Sequence, residues 1–135
     1  MKKDIVIPKV EGVYVAIIQV WNEEFEWNDW VAYVVNDTDK EIENVLVVSK
    51  GYGKKDGKDI KTSTMRHGMK FVEAKGYAKI ELVHEDALSL NNEFWITFFD
   101  DNQLMDKKFV FRPNTINDKA LRPVPHVNKK GVVLF

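Results

Sequence analysis

Residues 30–53 constrain the fold of this chain more than any other segment. Two runs rich in valine and aromatic residues, WVAYVV and NVLVVSKGYG, lie on either side of a polar stretch that begins NDTDKE. Such runs are typical of neighbouring antiparallel strands, because β-branched and aromatic side chains fit a pleated, half-buried surface. The segment therefore predicts the centre of an all-β fold.

Short runs of this kind recur along the chain and end at Gly, Asn, Asp or Pro, which predicts successive strands. They cover 13–21, 30–35, 45–52, 59–64, 69–72, 77–83, 94–99 and 109–111, with one short helix between His84 and Leu90. The first two are apolar at successive positions, so we expect both to lie inside a sheet. About 7–8 such strands favour a two-sheet antiparallel sandwich, immunoglobulin-like or related, with a closed barrel as the runner-up.

The length of 135 residues suits a single domain. We assign the sandwich to residues 1–113 and a proline-containing C-terminal tail to 114–135, since Pro113, Pro123 and Pro125 do not suit a central strand. The tail ends in GVVLF, whose apolar side chains do not favour water. We expect the tail to pack on an edge of the sheet or on a partner chain.

Composition and charge exclude several kinds of function. The absence of cysteine removes thiol catalysis, disulfides and cysteine-bound zinc. The net charge of -1 gives no overall attraction to nucleic acid or to an anionic membrane. The charged start Met1 to Lys3 is followed by only three apolar residues, 5–7, which is too short for a signal peptide and predicts a cytoplasmic protein. No segment has the apolar length of a membrane span, and the three histidines lack metal-site spacing, so we expect no cofactor or metal.

The segment TSTMRH, residues 62–67, invites a catalytic interpretation because a hydroxyl lies near a histidine. In a strand, Ser63 and His67 would share a face but lie about 13 Å apart. A small hydrolase or transferase around Ser63, Arg66, His67 and His84 is therefore only an alternative. The plainer interpretation is a hydrogen-bonded strand and turn, and an intermediate one is an anion-binding or partner-binding surface formed by Arg66 and His67.

Residues 21–30 combine three tryptophans, a phenylalanine and four acids without a single lysine or arginine. We expect Trp21 and Trp30, at strand ends, to pack in the core. Phe25 and Trp27 fall in the intervening loop, where large rings commonly anchor interfaces. These two residues are the predicted anchors of a protein partner.

Residues 50–70 have the opposite charge, with seven cations and two anions. Lys54, Lys55 and Lys58 with Tyr52 suggest an RNA-associated module, since lysines neutralise phosphates and aromatic rings stack on bases. The alternative is that lysines on a hairpin keep a sheet edge from pairing with other molecules. The opposite charges of 21–29 and 50–70 are expected to pair within the fold or across a dimer.

Four stretches, ENVLV, SKGYG, TSTMRH and LNNEFW, resemble a family of small uncharacterised bacterial proteins over most of the chain up to Pro113. Some members of that family are automatically labelled phenylalanyl-tRNA synthetase alpha subunit. The chain does not support this label, because it is short for a class II synthetase core and lacks the arginine-bearing ATP-binding motifs of such a core. The resemblance implies no catalytic residues.

The favoured interpretation is a non-catalytic cytoplasmic protein-interaction module whose partner is another protein or a second copy. The predicted binding residues are Phe25, Trp27, Lys54, Lys55, Lys58, Arg66 and His67. The RNA-associated module and the small enzyme are the alternatives.

Overall fold

A computed structural model of the protein describes residues 8–135. This part of the chain forms two antiparallel sheets of five strands each, which are not closed into a barrel. The predicted all-β sandwich is confirmed and the barrel alternative is wrong. Residues 1–7, on which the signal-peptide argument rests, lie outside the described residues.

Ten strands lie within residues 8–135, against about eight predicted. The two additional strands, β9 and β10, belong to the C-terminal tail. The bounds are β1 Val13–Asn22, β2 Trp27–Asn36, β3 Ile42–Lys55, β4 Lys58–Lys61, β5 Met65–Val72, β6 Gly76–Val83, β7 Asn91–Asp100, β8 Gln103–Phe111, β9 Arg122–Val124 and β10 Lys129–Leu134.

Sheet A has the strand order β6-β2-β1-β10-β9. β1 pairs along its whole length with β2 and through residues 15–18 with β10. All side chains from Val13 to Ile18 are buried, on both faces of the strand. The prediction that residues 13–21 and 30–35 form interior strands is therefore confirmed.

Sheet B is built on the long strand β3. One edge of β3 pairs with β7, which in turn pairs with β8, while the other edge pairs first with β5 and then with β4. The hairpins β3–β4 and β7–β8 turn at Asp56-Gly57 and Asp101-Asn102, all four of which have positive φ. Positive φ at both central residues matches the right-handed twist of the flanking strands, and Gly, Asn and Asp are the residues that adopt it most readily.

The tail enters sheet A. β10 lies between β1 and β9, and Val132 is buried against the core. Gly131 pairs with Ile18, and a Cβ at this position would lie 2.6 Å from the carbonyl oxygen of Ile17. The edge position expected for the tail is thus taken by β9, which contains Pro123, while the apolar residues 131–134 lie one strand further in.

A polar cluster joins the two sheets where β5 and β6 approach each other. Glu81 of β6 accepts a hydrogen bond from Ser49 of β3, and the same carboxylate oxygen lies 2.9 Å from Nε2 of His67 on β5. Three strands from two sheets therefore share one acceptor.

The predicted short helix is a single 3-10 turn, Glu85–Ala87. A second such turn, Asp118–Ala120, is capped by Asn117, whose side chain accepts hydrogen bonds from the backbone of Lys119 and Ala120. In residues 8–135 no helix has the length and apolar character needed to cross a membrane.

Candidate functional site

A groove opens at the end of the sandwich where β2 and β6 separate. The two strands pair as far as Trp30 and Val83. Beyond that point β2 extends to Trp27 in a hairpin with β1, while the chain after Val83 turns into the Glu85–Ala87 helix. The space between the hairpin and this helix has a volume of about 740 Å³. We call it the tip groove; its lining residues are Asn22, Phe25, Trp27–Trp30, Leu82–Asp86 and Leu88.

Two stacked aromatic rings form one wall of the tip groove. Phe25, in the β1–β2 turn, and Trp27, the first residue of β2, have ring centroids 4.9 Å apart and planes 16° from parallel. Each side chain is more than half exposed, at 56% and 54%. Both side chains are therefore accessible to a partner, as the predicted role of interface anchor requires. Large rings that stay in water on a rigid support are characteristic of binding surfaces.

A hydrogen-bonded network in the hairpin holds the indole of Trp27 and the backbone of Phe25 in place. The carboxylate of Asp29 accepts hydrogen bonds of 2.9 Å from the indole of Trp27 and from the side-chain amide of Asn22. The side-chain oxygen Oδ1 of Asn22 in turn accepts a hydrogen bond of 3.2 Å from the backbone N–H of Phe25. The indole of Trp27 and the backbone of Phe25 are thus each fixed by a neighbour in the hairpin, which lowers the entropy that a partner would have to remove on binding.

The tip groove is acidic. Its lining includes the carboxylates of Asp29, Glu85 and Asp86 and contains no lysine or arginine. The adjoining turn adds Glu23, Glu24 and Glu26, all exposed and, among the described residues, without an ion-pair partner. The sequence did not indicate that Glu85 and Asp86 face this hairpin, because that contact depends on where the β2–β6 pairing stops.

The sequence predicted that Trp21 packs in the core, and this prediction is wrong. Trp21 lies opposite Asn28 in the β1–β2 ladder and is 55% exposed. Trp27 lies opposite Asn22, one position along, so the alternation of the strand places Trp21 and Trp27 on opposite faces of the hairpin. Trp30, by contrast, packs against the core as expected.

The lysines of the β3–β4 hairpin are exposed. Lys54 and Lys55 end β3, Lys58 begins β4, and none of the three forms an ion pair within residues 8–135. The opposite charges of 21–29 and 50–70 therefore do not pair with each other in this part of the fold. The charge-bearing ends of the two hairpins remain available to other molecules.

Tyr52, the aromatic residue of the RNA hypothesis, is already engaged. Its hydroxyl lies 3.3 Å from Glu93 and the ammonium of Lys50 lies 5.9 Å from its ring centroid. Burial, followed by the charge of Glu93, raises the pKa of Tyr52. The ring is half-buried, so it offers little of its face for stacking on a base.

The residues of the enzyme hypothesis are not brought into catalytic geometry. Arg66 and His67 are neighbours in β5 and face opposite sides of sheet B, so they do not form one anion-binding surface. Ser63 lies in the connection between β4 and β5 and makes no hydrogen bond to a histidine in the described structure. A serine nucleophile needs an imidazole between its hydroxyl and an acid, whereas here Glu81 lies between Ser49 and His67.

Within residues 8–135, no group of three or more His, Asp and Glu side chains is placed to hold a metal ion. No protein-family model matches the chain, and comparisons with curated proteins and with solved structures find no similar protein.

Proposed function

We propose that this protein is a non-catalytic, cytoplasmic protein-interaction module that holds a positively charged polypeptide segment in the tip groove. The observation that supports the proposal is the exposed stack of Phe25 on Trp27 beside carboxylates that have no cationic neighbour in the groove lining.

Lysine and arginine side chains suit this groove for two physical reasons. A cation over an aromatic face gains about 0.5–1 kcal/mol at an exposed site, and tryptophan is the best acceptor. The carboxylates of Asp29, Glu85 and Asp86 then attract the same cation from both walls of the groove. The apolar stems of such side chains also cover the rings from water.

The proposed role of the β3–β4 hairpin is steering. Lys54, Lys55 and Lys58 are exposed cations on a second projection of the sandwich, and charges of this kind change the rate of encounter more than the affinity. They would favour partners that have an acidic region beside their basic segment.

A binding titration with a labelled oligolysine peptide tests the groove. Fluorescence anisotropy of the peptide is measured with the wild-type protein and with Trp27→Ser. We expect the variant to bind at least about tenfold more weakly, a loss of about 1.4 kcal/mol. A labelled oligoglutamate peptide should not bind.

The matched control is Trp21→Ser. Trp21 is equally exposed and belongs to the same hairpin, but it lies on the other face and does not line the groove. Its removal should change the affinity by less than about twofold. The proposal fails if wild-type protein does not bind oligolysine, or if the two tryptophan variants lose the same affinity.

A further inference from the structure

A second cavity lies between the two sheets, next to the tip groove. It has a volume of about 280 Å³ and is lined by residues of β3, β6, β7 and the connection between β4 and β5. The two spaces share Leu82, Val83 and His84, whereas the stack of Phe25 on Trp27 lines only the tip groove. We call the second space the inter-sheet cavity.

The carboxylate of Glu81 lines the inter-sheet cavity and uses only one of its two oxygens within the fold. Oε1 accepts the hydrogen bond from Ser49 and lies 2.9 Å from Nε2 of His67. Oε2 has no hydrogen-bond partner among residues 8–135, although the side chain is only 17% exposed. An ionised carboxylate accepts hydrogen bonds at both oxygens and donates none. Glu81 therefore has a free acceptor for a donor in the cavity.

Asn92 supplies a second free acceptor to the inter-sheet cavity. Its side chain is 7% exposed, and Nδ2 donates to the backbone carbonyls of Ala87 at 2.9 Å and Leu90 at 3.1 Å. These two bonds use both amide protons and fix the orientation of the group. Oδ1 accepts no hydrogen bond from the described residues and, unlike the hydroxyl of Tyr14, is not fully enclosed by protein. Since Asn92 lines the cavity, a donor there satisfies Oδ1.

The charge of Glu81 is not offset by a cation inside the cavity. Lys50 is the only lysine or arginine among the described residues that line it. The side chain of Ser49 points to Glu81, so the alternation of β3 directs Lys50 to the opposite face of the sheet. The ammonium of Lys50 lies there, 3.6 Å from Glu93 and 5.9 Å from the ring centroid of Tyr52. The cavity therefore favours a cationic ligand that donates hydrogen bonds.

The two free acceptors lie in successive rows of sheet B. Ser49, which contacts Glu81, is opposite Phe94, whereas Asn92 is opposite Gly51. Neighbouring rows on one face of a sheet are about 7 Å apart, which is more than two hydrogen-bond lengths. A ligand that satisfies both acceptors therefore needs a second donor besides its cationic group.

We propose that the inter-sheet cavity binds a small primary amine that carries a second hydrogen-bond donor, such as an amino alcohol. The ammonium group donates to Oε2 of Glu81, the second donor reaches Oδ1 of Asn92, and the hydrocarbon chain lies along the buried ring of Phe94. An alkylammonium donates three hydrogen bonds and accepts none, and its bond to a carboxylate is about twice as strong as a neutral one. The cavity volume is near the lower limit for ligand sites, so the ligand is small.

A titration of the full chain with 5-amino-1-pentanol tests the proposal. Binding is followed by the NMR methyl resonances of Met65 and Ala87, which line the cavity, at pH 8, where a free alkylamine is charged. We expect both resonances to shift with a Kd of about 1 mM or tighter, which is in the range for a ligand of this size. Two probes of the same length are compared. 1,5-Pentanediol lacks the charge and should bind at least about tenfold more weakly, and hexylamine lacks the second donor and should bind at least about threefold more weakly.

Two variants remove the site in different ways. Glu81→Gln keeps one acceptor oxygen for Ser49 but loses the charge, so the amino alcohol should bind at least about tenfold more weakly. Met65 lies opposite Ser49 in the β3–β5 ladder and is 46% exposed. Met65→Lys therefore places a competing ammonium beside the cavity without disturbing the core, and it keeps the test valid if Glu81→Gln does not fold. The response of Ala87 reports binding to this variant.

Glu43→Gln is the matched control, because it makes the same change at an exposed carboxylate of β3 that does not line the cavity. It should change the affinity by less than about twofold. Wild-type protein whose resonances do not respond to the amino alcohol overturns the proposal. So does equal binding of 1,5-pentanediol, or a folded Glu81→Gln or Met65→Lys variant that binds as tightly as the wild type. Trp27→Ser should bind the amino alcohol normally, so this test and that of the tip groove fail independently.

Discussion

The indole of Trp27 donates a 2.9 Å hydrogen bond to Asp29, two residues along the same strand. The alternation of β2 puts both side chains on one face of the hairpin, where Asn22 on β1 completes the contact by donating to the other carboxylate oxygen. The aromatic wall of the tip groove is therefore held by side chains of its own hairpin.

Replacing Asp29 should release Trp27 without unfolding the protein. The group is near the surface, so we expect Asp29→Ala to lower the free energy of unfolding by no more than about 1 kcal/mol. The indole N–H resonance of Trp27 should shift in the NMR spectrum, and the affinity for oligolysine should fall several-fold. Asp29→Asn keeps a hydrogen-bond acceptor and should restore the indole resonance; an unshifted resonance in Asp29→Ala would contradict the contact.

Glu81 should stabilise the packing of the two sheets. Its replacement by alanine leaves the buried hydroxyl of Ser49 and the ring of His67 without their shared acceptor. We expect Glu81→Ala to lower the free energy of unfolding by about 1–3 kcal/mol, measured by urea denaturation. Glu81→Gln, which keeps one acceptor oxygen, should lose less. The control Glu85→Ala removes an exposed carboxylate and should change stability by under about 0.5 kcal/mol.

Gly131→Ala should separate β10 from β1. The new Cβ would lie 2.6 Å from the carbonyl oxygen of Ile17 and 2.8 Å from Cδ1 of Ile18. We expect a loss of about 1–3 kcal/mol by urea denaturation, since extra atoms in a packed site force neighbours apart. Gly68→Ala, where nothing lies within 4 Å, should be neutral or slightly stabilising. Equal stability of the two variants would place the tail outside sheet A.

Tyr14 should make the protein sensitive to alkaline pH. Burial, followed by the charge of Asp37, raises the pKa of Tyr14 to about 12 from 10. The folded state thus favours the neutral phenol. The contribution of this preference to the free energy of unfolding is complete below pH 10. As pH rises from about 10 to 12 the unfolded chain ionises first, so stability should fall by up to about 2–3 kcal/mol.

Tyr14→Phe checks this pH dependence. The hydroxyl of Tyr14 is buried and has no hydrogen-bond partner among the described residues, and the edge-to-face contact of the ring with Phe135 remains in the variant. The variant should therefore be as stable as the wild type at neutral pH, or more stable. The urea midpoint of the variant should also fall less than that of the wild type between pH 10 and 12. An identical decline in both proteins would show that another group causes the loss of stability.

The sandwich was predictable because each strand has a recognisable local sequence pattern. Alternating or doubly apolar runs and the Asp-Gly and Asp-Asn turns depend only on neighbouring residues. The tail was harder, since Pro123 argues against a central strand and is in fact confined to the edge strand β9. Residues 129–134 enter the sheet through pairing with β1, more than a hundred residues away, and no local pattern specifies that partner.

The tip groove and the outer face of sheet B depend on register, which a single sequence does not reveal. Phe25 and Trp27 were recognisable as loop aromatics, but Trp21 was assigned to the core because the alternation of the hairpin was unknown. Val48 follows the core residue Val47, and Trp95 follows the core residue Phe94. Consecutive apolar residues in a strand face opposite sides, and this was the sequence feature that indicated apolar residues on the outside of sheet B. Only the ladder between β3 and β7 places them side by side on the outside.

Capture from native lysate shows whether the tip groove binds a protein partner. Tagged wild-type protein, Trp27→Ser and Trp21→Ser are each used as bait, half of every sample is treated with nuclease, and retained proteins are identified by mass spectrometry. We expect protein partners that have basic segments and are retained after nuclease treatment. They should be lost with Trp27→Ser and kept with Trp21→Ser. Partners that disappear with nuclease, or that Trp27→Ser retains as well as the wild type does, would contradict the proposed function.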